Sequence, residues 1–427
     1  MHVYRVAPLG APLDAVVEVP GSKSIANRAL VCAALADGES TLRGVPGGDD
    51  TEALLDCLQV LGLHVERGEA EAGNSVVRLV GGVASFRRGP LTLPCRLAGT
   101  TSRFVTALAA LGPGPYVIDG HPPLRSRPMA PLHDALGALG VRVHAGEGWG
   151  HLPVSVQGPI DASVEEVSLR GDVSSQYLTA LMLIAPYCPR GLRLVLTTPL
   201  VSRPYVLITA AVMASFGVPD VEVGDQVITV PSGRYTPCDY TVEPDASSAS
   251  YPLAAAAICG GRVHVPGLTN TSLQGDAAFC HVLAQMGCVV EQDGSGTTVS
   301  RHGEVRGIEI EMADLSDLVP TLAAVGVFAQ DPVIIRGVGF IRSKESDRLS
   351  DLCAELRKAG VAATDNSDGL MVIPSTPHTA TLGTHHDHRL AMAFALVGLG
   401  ASGIVIEDPD VVSKSWPEFW GMIEGLR

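Results

Sequence analysis

One phrase recurs six times along this chain: a polar knot, an Ala/Leu-rich helix, a glycine and a β-branched strand. The copies start at Ser24 (SIANRALVCAALADGESTLRGV), Thr100, Ser174, Ser247, Asp317 and His388, spaced 70 to 76 residues apart. A second helix-then-strand phrase lies between copies, ending at LQVLGLHV, LGALGVRV, MASFGVPDV, LAQMGCVV and LRKAGVAA. Similarity at a fixed period marks one supersecondary unit used many times. By periodicity each unit reads as a loose βαβαββ. The first helices (ALVCAALA, FVTALAAL, LAAAAI, LAMAFALVGL) are apolar nearly all round, which buries them on every side. The second helices (DDTEALLDCLQVLG, ESDRLSDLCAELRKAG) are amphipathic. The expectation is therefore an α/β fold with helices inside and sheets outside, three units to a lobe. Breaks at Pro20–Ser22 and Tyr240–Asp245 predict one lobe over residues 22–243 and another from 1–21 with 244–427, the strand VYRVAP joining the second.

Composition narrows the function. Hydrophobic residues make up 46% of the 427, but aromatics only 4%, so Ala, Leu and Val must fill the cores. Net charge is −15 with no basic run, which argues against a nucleic-acid partner. The opening segment has no uninterrupted apolar core of the secretory kind. The uncharged run Leu390–Ile406 is shorter than the ~20 residues a spanning helix needs. Gly398, Gly400 and Gly403 also interrupt it, so a soluble protein is expected. Nine cysteines without CxxC spacing read as reduced thiols in the cytoplasm. Of thirty basic residues only Lys23, Lys344, Lys358 and Lys414 are lysines. Lysine is a compact charge whose pKa falls readily enough for proton transfer. Lys358, in ELRKAG, reads as a solvated surface residue, and the other three stand in polar segments.

Each unit places Ser, Thr, Asp or His at a helix start, where backbone N–H groups favour anions. In PGSKSIANR, Gly21 gives a turn, Ser22 and Ser24 cap, Lys23 enters at the helix start and Arg28 follows one turn on. The upstream glycine of a P-loop is missing. LAGTTSRF offers close backbone approach at Gly99, with hydroxyls and N–H groups at Thr100, Thr101 and Ser102. HPPLRSRP sets Arg125 and Arg127 along an extended loop, a pairing suited to phosphate or carboxylate. DVSSQYLTAL supplies Ser174, Ser175 and Gln176, and LVSRPY adds Ser202, Arg203 and Tyr205. Asp317 heads the fifth helix. In SKESDRL, Lys344 and Arg348 are four apart, as on one helix face, with Glu345 beside them. An acid between two cations is a proton-transfer candidate, although surface ion pairs give the same pattern. HHDHRLAM brings His385, His386, Asp387, His388 and Arg389, and the arginine argues against a metal. VSKSWPEF presents Lys414.

Together PGSKSIANR, LAGTTSRF, RSRP, DVSSQYLTAL, LVSRPY, DASSASY, SKESDR, HDHRLAM and SKSWPEF resemble, in order and over nearly the whole chain, the 5-enolpyruvylshikimate-3-phosphate (EPSP) synthase family. The resemblance implies the inside-out α/β barrel of two similar lobes that close over substrate. It also implies transfer of the enolpyruvyl group of phosphoenolpyruvate (PEP) to the 5-hydroxyl of shikimate-3-phosphate, on the route to chorismate. No cofactor or metal is implied, and a monomer is expected. Lys23, Ser24 and Arg28 would meet shikimate-3-phosphate, and Ser174, Ser175, Gln176, Ser202 and Tyr205 would hold its phosphate and ring. Lys344 also falls among its neighbours. Lys23, Gly99, Thr100, Arg127, Gln176, Lys344, Glu345, Arg348, Arg389 and Lys414 would surround PEP. Asp317 resembles the carboxylate that takes the 5-OH proton, and His388 falls among the catalytic positions. Lys23, Glu345 and Lys414 all remain open as the acid toward C3. Leu97 and Phe340 stand where many members carry Asn, and with Thr101 they leave the response to PEP mimics such as glyphosate open.

Two rivals stand beside this reading. UDP-N-acetylglucosamine enolpyruvyl transferases share fold and donor, but their relatives carry a reactive Cys before an Arg-Pro pair, where this chain reads HPPLRSRP. A scaffold of repeated lobes would not need Lys, Glu, Arg, Asp and His-Arg at the same ends of its units.

Overall fold

The structure, a computed structural model, describes residues 2–71, 73–146 and 148–427. The chain divides into two compact units, Gly21–Val242 and Met1–Pro20 with Glu243–Arg427. Each has its own hydrophobic core.

In Gly21–Val242 the helices Lys23–Leu35, Gly99–Ala109 and Ser175–Ile184 pack on one another. Every residue from Ile25 to Leu35 is buried, as the apolar pattern requires. Small residues make this possible: Ala26, Ala29, Ala33, Ala107 and Ala180 let the backbones approach with little void. Three four-stranded sheets cover the helices, their inward side chains alternating with outward ones. Leu91–Pro94, Tyr116–Asp119, Val154–Gln157 and Arg142–Ala145 form one sheet in that spatial order. Glu166–Leu169, Leu192–Leu196, Val227–Val230 and Glu222–Val223 form a second with the same strand pattern. In each, the first two strands are parallel and the last two form an antiparallel pair. The sheet of the first repeat borrows its opening strand from the far end of the unit, because Asp239–Thr241 runs parallel to Thr41–Arg43.

The second unit repeats the plan around the helices Ala246–Cys259, Val319–Gly326 and His388–Gly400. Leu13–Val16 opens the sheet of Gly261–Pro266, Gly296–Arg301 and Val289–Gln292. Ile308–Glu311, Val333–Arg336, Leu370–Ile373 and Ala362–Asp365 form the next. The sixth repeat departs from the expected βαβαββ. Its sheet has three strands, Ala380–Leu382, Ile404–Glu407 and Val3–Arg5, the last running antiparallel with Val3 opposite Glu407. Tyr4 then stacks on Trp420 with centroids 4.0 Å apart, pinning the closing helix Phe419–Gly425.

The uncharged run is a buried helix and a buried strand, broken at Gly403 with φ +87°. Among the described residues no helix is long and apolar enough to cross a membrane. Gly398 sits mid-helix despite its low propensity, because a β-carbon there would lie 2.5 Å from Cβ of Val6.

Candidate active site

In Gly21–Val242 the helix starts carry the polar groups. Lys23 opens its helix and its Nζ lies 3.0 Å from Oδ2 of Asp50, a carboxylate 3% exposed. The expected caps behave differently. Ser22 stands at the cap position without a side-chain cap bond, and Ser24 is already inside the helix. Arg28 is buried, and Nε donates to Thr209 Oγ1 at 2.8 Å. Nη1 donates to the Ser24 carbonyl at 2.6 Å, and Nη2 to Thr179 Oγ1 and the Tyr205 carbonyl. These bonds tie three helices together. Burial lowers its pKa to about 10, partly countered by Tyr205, so it stays a cation at neutral pH.

Gly99 opens the next helix, and a β-carbon there would sit 2.4 Å from Nη1 of Arg127 and 2.6 Å from Nη1 of Arg103. Two guanidinium groups therefore lie against a bare backbone at a helix N-terminus, an arrangement made for an anion. Arg103, which the sequence reading passed over, is buried, donates to the Gly99 carbonyl at 2.8 Å and lies 5.5 Å from the Tyr177 ring. Thr100 begins the same helical turn, but the neighbouring hydroxyls point home. Thr101 Oγ1 donates to the Asp50 carbonyl at 2.8 Å and Ser102 Oγ to the Gly99 carbonyl at 2.9 Å. The loop expected to be extended is a short helix, Pro122–Arg125, started by its prolines. That turn brings Arg125 onto Asp119 in a two-pronged bond at 2.7 and 2.9 Å, while Arg127 lies against Gly99. Ser174 caps its helix by accepting from Gln176 N, Ser175 is buried, and Gln176 Oε1 has no partner among the described residues. Ser202 heads the helix Arg203–Ser215 in a left-handed conformation, φ +55°, placing Tyr205 in the first turn. Leu97 is exposed and Phe340 half-buried.

The other unit holds a denser cluster. Arg348, 1% exposed, donates Nη1 to Asp317 Oδ1 at 2.9 Å and Nη2 to Glu345 Oε2 at 2.8 Å. Its Nε reaches Asp387 Oδ2 at 2.7 Å. Arg389 Nη2 meets Asp317 Oδ2 at 2.8 Å, Lys344 Nζ stands 3.9 Å from Asp317 Oδ1, and Lys414 Nζ reaches Glu345 Oε1 at 3.0 Å. His388 is buried with Nδ1 3.7 Å from Asp387 Oδ1. Burial alone would raise the Asp317 pKa, but Arg389, Lys344 and Arg348 outweigh it and hold the carboxyl well below its usual range. Burial likewise opposes the charge of Arg348, but Asp387, Glu345 and Asp317 push its pKa above normal. Lys344 to Leu349 is not the helix the four-residue spacing suggested, since the helix begins at Ser350. An irregular segment can turn Lys344, Glu345 and Arg348 toward one cluster without the fixed angles of a helix.

Two acids in this cluster had no assigned role. Asp387 is fully buried, caps the helix His388–Gly400 through Arg389 N, and accepts from Arg348 and Ser346. Asp276 is buried near Asp317, accepts from Ser247 Oγ, and burial followed by the charge of Asp317 pushes its pKa up to about 7. Asp387 was visible as a helix-start acid. No spacing in LQGDAAF distinguished Asp276 from a surface turn. Burying so many charges is a poor way to gain stability, which points to chemistry as their purpose. Among the described residues no group of three or more His, Cys, Asp or Glu side chains is disposed to hold a metal ion.

The profile of the family described as EPSP synthase (3-phosphoshikimate 1-carboxyvinyltransferase) matches residues 9–423. A 3-phosphoshikimate 1-carboxyvinyltransferase of Trichormus variabilis is 41% identical over 421 residues, 98% of each chain. One of Methanoculleus marisnigri is 39% identical over 99% of each. In fold, the chain is similar to an EPSP synthase structure from Acinetobacter baumannii, with TM-score 0.82 and 23% identity over 99% of this chain and 97% of that one.

Proposed function

The chain belongs to the EPSP synthase family, and we propose that it transfers the enolpyruvyl group of PEP to the 5-hydroxyl of shikimate-3-phosphate, releasing phosphate. The observation that carries this reading is Asp317 held between Arg348, Arg389 and Lys344, with Glu345 bridging Arg348 and Lys414. The reactants bring two phosphates and a carboxylate, and these cations can exchange their carboxylate partners for them.

We assign Lys23, Ser24, Arg28, Ser174, Ser175, Gln176, Ser202 and Tyr205 to shikimate-3-phosphate. Gly99, Thr100, Arg127, Lys344, Arg348, Arg389 and Lys414 would serve PEP. That exchange has a chemical consequence. With its cations opposite, Asp317 is a weak base; once they turn to PEP, their hold on its charge relaxes and its proton affinity rises. Asp317 then takes the 5-OH proton as the oxygen bonds to C2, and an acid delivers a proton to C3. Glu345 between Arg348 and Lys414, Lys414 itself and Lys23 are the candidates. The C–O bond to phosphate then breaks and C3 gives its proton up again, restoring the double bond. Charge fixed in advance around such a centre is commonly the largest catalytic term. His388, buried against Asp387, would orient the cap that carries Arg389.

Nine free cysteines fit a reducing cytoplasm, and we take the monomer as the working unit. Phosphate release on mixing the protein with PEP and shikimate-3-phosphate tests the reading. Release that requires both is expected. Release with UDP-N-acetylglucosamine in place of shikimate-3-phosphate, or none with either, would overturn it.

A further inference from the structure

Just upstream of His388 and Arg389 the backbone does something costly. Asp387 N donates to the Thr384 carbonyl at 2.8 Å, closing a tight turn whose two central residues, His385 and His386, both have positive φ, +52° and +57°. A turn with both central residues left-handed favours Gly, Asn and Asp, because a β-carbon there crowds the following carbonyl oxygen. Two successive histidines there persist only if something outside the turn holds them.

For His386 it is Asp408, whose Oδ2 lies 3.6 Å from Nδ1; for His385 it is one face of the helix Ser350–Lys358. Glu355, 3% exposed, accepts from Gly383 N at 2.8 Å through Oε2, and its Oε1 lies 2.7 Å from His385 Nε2. A carboxylate only accepts, so Nε2 carries the hydrogen. Lys358 Nζ, 2.8 Å from Oε1, balances the buried charge. Asp351, one turn earlier, faces His385 Nδ1 at 3.6 Å and accepts from Asp347 N at 3.1 Å. The same helix face thus touches the segment leading into Arg348 and the turn leading into Asp387, and those two side chains are bonded to each other at 2.7 Å.

We propose that Glu355 and His385 are positioning residues that hold the strained turn 384–387 and so fix Asp387, Arg348 and Arg389 for PEP. Neither would touch the reactants. The proposal rests on the assignment of Arg348 and Arg389 to PEP made above.

The test is steady-state kinetics on the whole enzyme, varying PEP and shikimate-3-phosphate separately, with melting temperatures. His385→Ala loses the bond to Glu355 and keeps a β-carbon at φ +52°, so KM for PEP should rise about tenfold, with KM for shikimate-3-phosphate unchanged. His385→Gly relieves the backbone but not the missing bond, so it should be no less stable than His385→Ala while KM for PEP stays high. His385→Asn tolerates the left-handed region and offers an N–H toward Glu355, and should return KM for PEP to within about threefold of the parent. Lys344→Ala is the control for the site itself. Wild-type KM for PEP in His385→Ala and His385→Gly, with Lys344→Ala impaired, overturns the positioning role alone. Equal loss toward both substrates, tracking melting temperature, also overturns it. Should Lys344→Ala act on PEP as the parent does, the PEP assignment fails and the positioning role falls with it.

Discussion

Asp317 is ionised where burial would neutralise it, and Asp276 nearby is pushed the other way. Two carboxyls driven apart in this fashion suit the proposed division into a base, Asp317, and a spectator, Asp276. Asp317→Asn keeps the volume and removes the proposed base, so kcat should fall at least a hundredfold, on the order of 3 kcal/mol of transition-state stabilisation. PEP affinity, read by equilibrium binding, should change far less. The pH dependence of stability separates the two acids. Asp317, depressed in the folded state, contributes stability above its unfolded pKa near 4 that is lost as pH falls. Asp276, raised to about 7, works in reverse: the folded protein binds a proton the unfolded chain releases, so its stabilisation is full below about pH 4 and fades as pH climbs toward 7. Asp276→Asn should therefore remove a fall of melting temperature with rising pH between about pH 4 and pH 7. An unchanged slope would show that Asp276 titrates normally. Such partnerships were only half legible. Lys344, Glu345, Arg348 and Asp317 stood out as a charge pattern, and the structure brings them together. Asp276 did not, because its pKa comes from burial, and burial of one polar residue in a turn leaves no period in the sequence.

At the scale of elements the six apolar helices were the clearest signal, since an all-apolar surface has nowhere to go but inside. The weaker signals misled where geometry is local. SKESDRL has helical spacing but stays irregular until Ser350, and HPPLRSRP folds into a short helix where an extended loop was expected. The glycines of the sixth helix read as interruptions, but they are packing devices. Gly398 faces Val6 and Gly400 faces Phe328 with no room for a methyl group. Gly398→Ala would gain helix propensity worth ~1 kcal/mol and force a contact of 2.5 Å with Val6, next to the strand Val3–Arg5. Overpacking costs about 1–3 kcal/mol, so net destabilisation is expected in chemical denaturation. Gly398→Ala combined with Val6→Ala should recover only part of the loss, because alanine sheds the two methyl groups at 2.7 and 3.0 Å but keeps the β-carbon at 2.5 Å.

For the molecule as a whole, the decisive fact is how the segment 21–242 closes. Its last strand, Asp239–Thr241, lies parallel to Thr41–Arg43 and supplies the outer position that the first repeat lacks. Its three central helices and three complete sheets therefore come from one uninterrupted stretch of chain with its own core. The remainder is assembled from two separate stretches, with Leu13–Val16 and Val3–Arg5 filling places in sheets otherwise built from residues beyond 243. Residues 21–242 expressed alone should accordingly fold, giving a cooperative thermal transition and fixed near-ultraviolet dichroism. Ending the fragment at residue 238 removes the parallel partner of Thr41–Arg43, leaves Asn74–Gly81 as the partner of Gly38–Pro46, and exposes the backbone donors and acceptors of the vacated edge. That shorter fragment should melt markedly earlier or lose cooperativity, with a cost above the ~1 kcal/mol of a single hydrogen bond because several go together. Equal melting of the two fragments would mean that the closing strand contributes little and that the repeats to either side hold the first sheet in place.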